Sequence, residues 1–181
     1  MEREDNENSV AYKNSITGDH IERKSAIDTR VTKPLKAGVM EIARDGTIAY
    51  MGKSSRLHLG YEKDEVIGLP FDIMVHPDMP HLICEQAFAV ADKGGTWGGF
   101  LKAITRHGEY FWAEVTIQPR VNNVNGVLEG NGYAISRRPA REDKIAEVES
   151  EFRQLKERGV YGFVSDNFGK IYAEQFNAGL I

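Results

Sequence analysis

Residues 97–137 read WGGFLKAITRHGEYFWAEVTIQPRVNNVNGVLEGNGYAISR, and three runs inside this stretch decide the fold. Trp97–Thr105, Tyr110–Val121 and Val127–Arg137 are strand-length. They are separated by Arg106-His107-Gly108-Glu109 and by NNVNG, both rich in residues that accept positive φ. Phe111, Ala113, Val115 and Ile117 alternate with polar neighbours, which is the period of a half-buried strand. Three consecutive strands joined by short turns make an antiparallel sheet.

Working back from that sheet, His81–Lys93 carries Ile83, Ala87, Val90 and Ala91 at helical spacing. Pro80 stands where a first turn tolerates it, and Gly94-Gly95 ends the helix. Before it, SSRLHLGYEKDEVIG (54–68) offers serines as caps and Gly60 and Gly68 as stops, so it predicts two very short helices with Leu57, Leu59, Tyr61, Val66 and Ile67 buried. KAGVMEIARDGTIAYMG (36–52) predicts two short strands around the turn dipeptide Asp45-Gly46. The order of two strands, short helices, one longer helix and three strands specifies an α+β fold: a five-stranded antiparallel sheet with short helices on one face. A space enclosed between helices and sheet is the natural ligand site.

The flanks read differently. Residues 1–35 are polar, with scattered apolar positions, and predict a flexible N-terminal arm with a short helix around Asp19–Ala26. The helix expected over 139–158 has Ile145, Val148, Phe152 and Leu155 at steps of three, four and three, a seam that lies on its own domain or docks a partner. The tail, 159–181, has aromatics broken by glycines.

Composition narrows the function classes. The chain has 181 residues, 41% of them hydrophobic and 28% charged, which is the balance of one ordinary soluble domain with extensions. A net charge of -4 argues against nucleic acid as partner, because displacing phosphate counterions needs a basic surface. With Cys84 alone, no intrachain disulfide, Cys-rich zinc site or haem attachment motif can form. No run is long enough to insert in a membrane, and MEREDNENSV lacks the features of a secretory signal, so a cytoplasmic location is expected. No GxxxxGK or GxGxxG phosphate loop occurs, and His20, His58 and His107 have no nucleophile or carboxylate partner at suggestive spacing, so no enzyme activity is expected.

Two stretches carry a resemblance. MVHPDMP (74–80) followed by KGGTWGGFLKAITRHGEYFWAEVTIQP (93–119) is similar to the flavin-binding PAS domain of bacterial aerotaxis, or energy-taxis, receptors. The likeness runs from about Asp45 to Leu155 and includes GYEKDEVIG (60–68) and EDKIAEVESEF (142–152). It implies a PAS sensor domain over 36–138, FAD between helices and sheet, and a redox or energy signal sent through the 139–158 helix to a membrane chemoreceptor or other signalling protein. The implied cofactor-binding residues are His76 and Asp78 in the loop, Phe88 as a flat wall where the family has tryptophan, and Trp97 at the pocket mouth. Such a chain resembles the stand-alone sensor half of a split energy-taxis system.

Each of these residues also has a plainer reading: His76 bonding its own loop, Asp78 capping the next helix, Trp97 filling core like Trp112. The chain departs from the family pattern at Val75, which replaces an arginine, at Ser54 or Ser55, and at Ala103. These departures support two alternatives, a cofactor-free PAS module for homodimer or partner contacts, and a PAS pocket for haem or another small ligand. His76 and His81 are the histidines available to a haem iron, and Cys84 reads as a buried thiol, without the motif of the cysteine-adduct light sensors.

Overall fold

The computed structural model describes residues 9–24, 27–31, 36–157 and 170–171. The sheet has the order β4-β3-β7-β6-β5-β8 and is antiparallel throughout. Its strands are β3 (Gly38–Ile42), β4 (Ile48–Met51), β5 (Trp97–Ile104), β6 (Tyr110–Val124), β7 (Val127–Pro139) and the two-residue β8 (Lys170–Ile171). The first five in that order are the sheet the sequence specifies. β8 adds backbone pairing to Trp97 and Gly98; the rest of the 159–181 tail lies outside the described residues.

The short helices follow the expected order, with α1 at Lys53–Leu59, α2 at Lys63–Val66, a 3-10 turn at Phe71–Met74 and α3 at His81–Asp92. Gly60 takes φ +81 as the C-cap of α1, a conformation a side chain would strain. Three details differ from expectation. Gly52, not a serine, is the N-cap of α1, which places Ser54 and Ser55 inside the helix. Leu57 and Ile67 face solvent at 67% and 44% exposure, because helices of one or two turns bury a single edge and Leu59 and Val66 occupy it. Asp78 does not cap α3, whose N-cap is Pro80.

The predicted helix around Asp19–Ala26 is a strand instead. Within the 1–35 region, β1 (Ser9–Lys13) and β2 (His20–Lys24) form a hairpin. Its turn is fixed by Asn14, whose buried Oδ1 accepts the backbone N–H groups of Ile16 and Thr17 at 2.9 and 3.0 Å. Ser15 then anchors the turn to the domain, its N–H at 3.0 Å from Asp72 Oδ2 and its hydroxyl on Asp72 Oδ1. A local side-chain turn tied to a buried carboxylate outweighs weak helix propensity. Residues 27–31 run beside the β5–β6 turn, with Val31 N–H donating to Tyr110 O at 2.8 Å.

Register sorts side chains to two faces. Leu101, Ala103, Phe111, Ala113, Val115, Ile117, Ile135 and Met40 point to the inner face, beneath α1, the 3-10 turn and α3. On the outer face α4 (Glu142–Glu157) lays Ile145, Val148, Phe152 and Leu155 over the sheet, the expected seam resting on its own domain. Beyond this body the β6–β7 hairpin continues to an exposed tip with Val121, Val124, Val127 and Leu128.

Candidate functional site

Between the helical layer and the inner face lies a cavity of about 40 Å³. Met40, Leu59, Phe71, Met74, Val75, Leu101, Phe111, Val115 and Ile135 wall it, so it is almost wholly apolar. Two charged residues also border it, Lys102 from β5 and Arg137 from β7. Arg137 is 6% exposed, its guanidinium stacked 5.3 Å from the Phe111 ring. Nε and Nη1 have no hydrogen-bond partner among the described residues. Nη2 lies 3.2 Å from His58 Nδ1, while the Lys36 N–H donates to His58 Nε2 at 3.3 Å. A neutral imidazole accepts at one nitrogen only, so His58 cannot serve both. Burial pushes the Arg137 guanidinium down to about 10. Nearby, Gly38 pairs with Arg137 across the ladder, and a Cβ there would come within 2.1 Å of Ser55 Oγ. The Ser54 and Ser55 hydroxyls are buried without partners as well.

The residues singled out from sequence encircle this cavity rather than line it. His76 is 5% exposed; its N–H donates to Lys102 O at 2.9 Å and its Nδ1 accepts the Asp78 N–H at 3.0 Å. With the Val75–Ala103 bridge, the HPDMP loop is thereby fastened along the edge of β5. The Asp78 carboxylate points outward and pairs with Lys156 of α4 at 3.3 Å. Phe88 is packed edge-on between Phe71 and Tyr133, at 5.4 and 4.9 Å between ring centroids. Trp97 is 1% exposed, opposite Ile117 at the start of β5, and its Nε1 is a further buried donor without a partner among the described residues. Cys84 is a fully buried thiol on α3.

Arg137 is the residue that the sequence reading passed over. Its signal was the alternation Tyr133, Ile135, Arg137, which puts a charge where the pattern calls for an apolar side chain.

On the outer face, the Trp112 indole donates to Glu149 Oε1 at 3.0 Å and meets the Phe152 ring edge-on at 5.7 Å. Lys102 is half-buried under α4, with Nζ 4.3 Å from the Tyr110 ring centroid, and desolvation holds its pKa below the usual lysine value. At the start of α4, Glu142 takes both Nη1 and Nη2 of Arg30, at 3.2 and 2.6 Å. The helix is thus tied to the sheet in its middle and to the HPDMP loop at its end.

A flavin needs a pocket on the order of hundreds of Å³ with flat apolar walls. The cavity is about 40 Å³ and does not fit the tricyclic ring. A larger groove of about 900 Å³, lined by Arg44, Asp92, Arg120 and Tyr133 together with Pro119, Val121 and Leu128, is open to solvent. Among the described residues, no group of three or more His, Cys, Asp or Glu is placed to hold a metal ion. No described helix is long and apolar enough to cross a membrane.

Comparison with known proteins agrees with this architecture. Residues 48–132 match the family model described as the PAS fold. The aerotaxis receptor of Escherichia coli is 33% identical over 98 residues, which is 53% of this chain and 18% of that receptor. A PAS domain from Colwellia psychrerythraea superimposes with a TM-score of 0.52 at 20% identity, over 57% of this chain and 86% of that one. The LOV domain of the blue-light photoreceptor Aureochrome1, in its light state, gives 0.51 at 17% identity over 64% and 89%. A further light-oxygen-voltage domain, studied with a flavin analogue, gives 0.52 at 19% over 66% and 88%. The sheet order, the helical layer on its inner face and these likenesses identify the fold of this chain as the PAS fold.

Proposed function

We propose that this chain is the sensory module of an energy-taxis pathway. In this reading a cytoplasmic PAS unit, without enzyme activity, reports the state of a ligand held between helices and sheet to a membrane chemoreceptor or another signalling protein. The observation that carries the reading is the join between the HPDMP loop and α4, the Asp78–Lys156 pair, beside the Trp112–Glu149 bond. A change at the inner layer that moves this loop alters one end of α4 while the indole holds its middle. To act as a signal, the ligand must bind the two arrangements of α4 with different affinity.

FAD is the ligand favoured by the likeness to the aerotaxis receptor and by the HPDMP motif. On that reading His76, Asp78, Phe88 and Trp97 belong to its surroundings, and Met40 and Met74, adaptable side chains, would have to vacate the space. The small cavity favours a second reading, a PAS module without flavin that works as a homodimer or partner-docking unit, or that holds another, smaller ligand.

An absorbance spectrum of the protein expressed with ample riboflavin, then incubated with FAD, separates the two. A retained flavin band supports the first. Colourless protein after both treatments overturns FAD as the ligand.

A further inference from the structure

The β1–β2 hairpin is fastened to the helical layer at its turn. Ser15 bonds Asp72 there, Ile16 packs against the core, and Lys13 presents its backbone carbonyl to His81, the first residue of α3. The His81 ring lies between two acceptors: Nε2 is 2.9 Å from Lys13 O, and Nδ1 is 2.8 Å from Glu85 Oε1, one turn along α3. A carbonyl oxygen and a carboxylate have no proton to give, and a neutral imidazole carries a single N–H. Both contacts are hydrogen bonds when the ring is doubly protonated and donates at each nitrogen. The positive end of the α3 dipole opposes a charge at the first residue of the helix, and the Glu85 carboxylate offsets that cost.

We propose that doubly protonated His81 is a proton-operated clasp. It holds the hairpin on α3 in acid; loss of one ring proton leaves a lone pair facing an acceptor and loosens the hairpin as pH rises. The hairpin turn rests on the 3-10 turn, whose Phe71 and Met74 wall the cavity, so the clasp makes acidity an input to the layer around that cavity. This goes beyond the sensor reading and stands whether or not the cavity takes a flavin. Other charged groups belong to the elements that meet here. The hairpin brings Lys13, Asp19 and His20, with His20 opposite Lys13 in the register. Asp72 is engaged by Ser15, and Asp45 of the β3–β4 turn by Thr47. In the preceding loop His76 accepts the Asp78 N–H, and the Asp78 carboxylate pairs with Lys156.

The test is hydrogen exchange of the whole chain, read at the amides of Asn14, Ser15 and Ile16 and corrected for the intrinsic pH dependence of exchange. Protection should rise about fivefold or more from about pH 8 to about pH 6, the range in which histidines ordinarily change charge and in which a neutral bond becomes a charge-assisted one. His81→Gln, whose amide still donates to Lys13 O, should keep the hairpin docked and abolish this dependence. Glu85→Gln should remove most of it, and His20→Gln should leave it unchanged. Nitrogen NMR of the His81 ring should show one of two protons lost over the same pH range in which protection falls. A flat profile in the unmodified chain, an unaltered profile in His81→Gln or Glu85→Gln, a profile lost in His20→Gln, or a ring proton lost outside that range each overturn the proposal. If His81→Gln does not fold, the ring spectrum and the exchange profile of the unmodified chain still decide.

Discussion

The two ends of the helix–sheet layer contrast in how well their polar groups are satisfied. At the HPDMP end, His76 is bonded to Lys102 and Asp78, and Asp78 reaches across to Lys156. At the Arg137 end, two guanidinium nitrogens and the hydroxyls of Ser54 and Ser55 lie buried without partners among the described residues. The first end carries the motif by which the chain resembles aerotaxis receptors; the second includes a serine pair where it departs from them. The motif therefore marks a well-bonded joint between loop and helix, while the unfilled polar groups lie at the other end, around Arg137, Ser54 and Ser55.

The sharpest way to break this contrast is to remove the anchor under α4. Trp112→Ala deletes a buried indole and its bond to Glu149, and should cost about 3–5 kcal/mol in urea denaturation. A loss below about 1 kcal/mol would mean that α4 docks without it.

At the other end the sign reverses. Arg137→Met should stabilise the protein by about 3 kcal/mol at neutral pH, since burial pushes the guanidinium well below its ordinary value, down to about 10. The unfolded chain keeps that proton up to the higher ordinary arginine value, so above about pH 10 it binds more protons than the folded one. The unmodified chain regains stability relative to the variant as pH rises through this window. Denaturation of both proteins at neutral pH and above pH 10 should show the gap narrowing; a constant gap would indicate a guanidinium that is not desolvated.

His76→Ala removes the acceptor for the Asp78 N–H and should cost about 1–3 kcal/mol, with His76→Asn recovering part of it in the same melts. The smallest effect belongs to the half-exposed pair, where Lys156→Ala should cost about 0.2–1 kcal/mol and lose that effect at high salt. Faster hydrogen exchange confined to the last turn of α4 would locate it; unchanged exchange there would detach the loop from the helix.

Much of the fold could be read in advance because its signals are periodic. Phe111 to Ile117 alternate and do form β6, Asp45-Gly46 turns β3 into β4, and the Ile145–Leu155 seam is buried. The β1–β2 hairpin was illegible, because what fixes it is a contact between Ser15 and Asp72, 57 residues apart, rather than a local pattern. The serines of α1 have the chemistry of caps, but Gly52 supplies the extended backbone there. Arg137 escaped notice because a charge near a strand end is usually solvated; only the pairing with Gly38 and Val115 turns it inward.

Cys84, the single thiol, is sealed within α3 at 0% exposure. A thiol reagent can reach it only when the helical layer lifts from the sheet, so its labelling rate is an intrinsic clock for that opening. Compared with and without a bound molecule, the clock reads occupancy of the interior with no added dye.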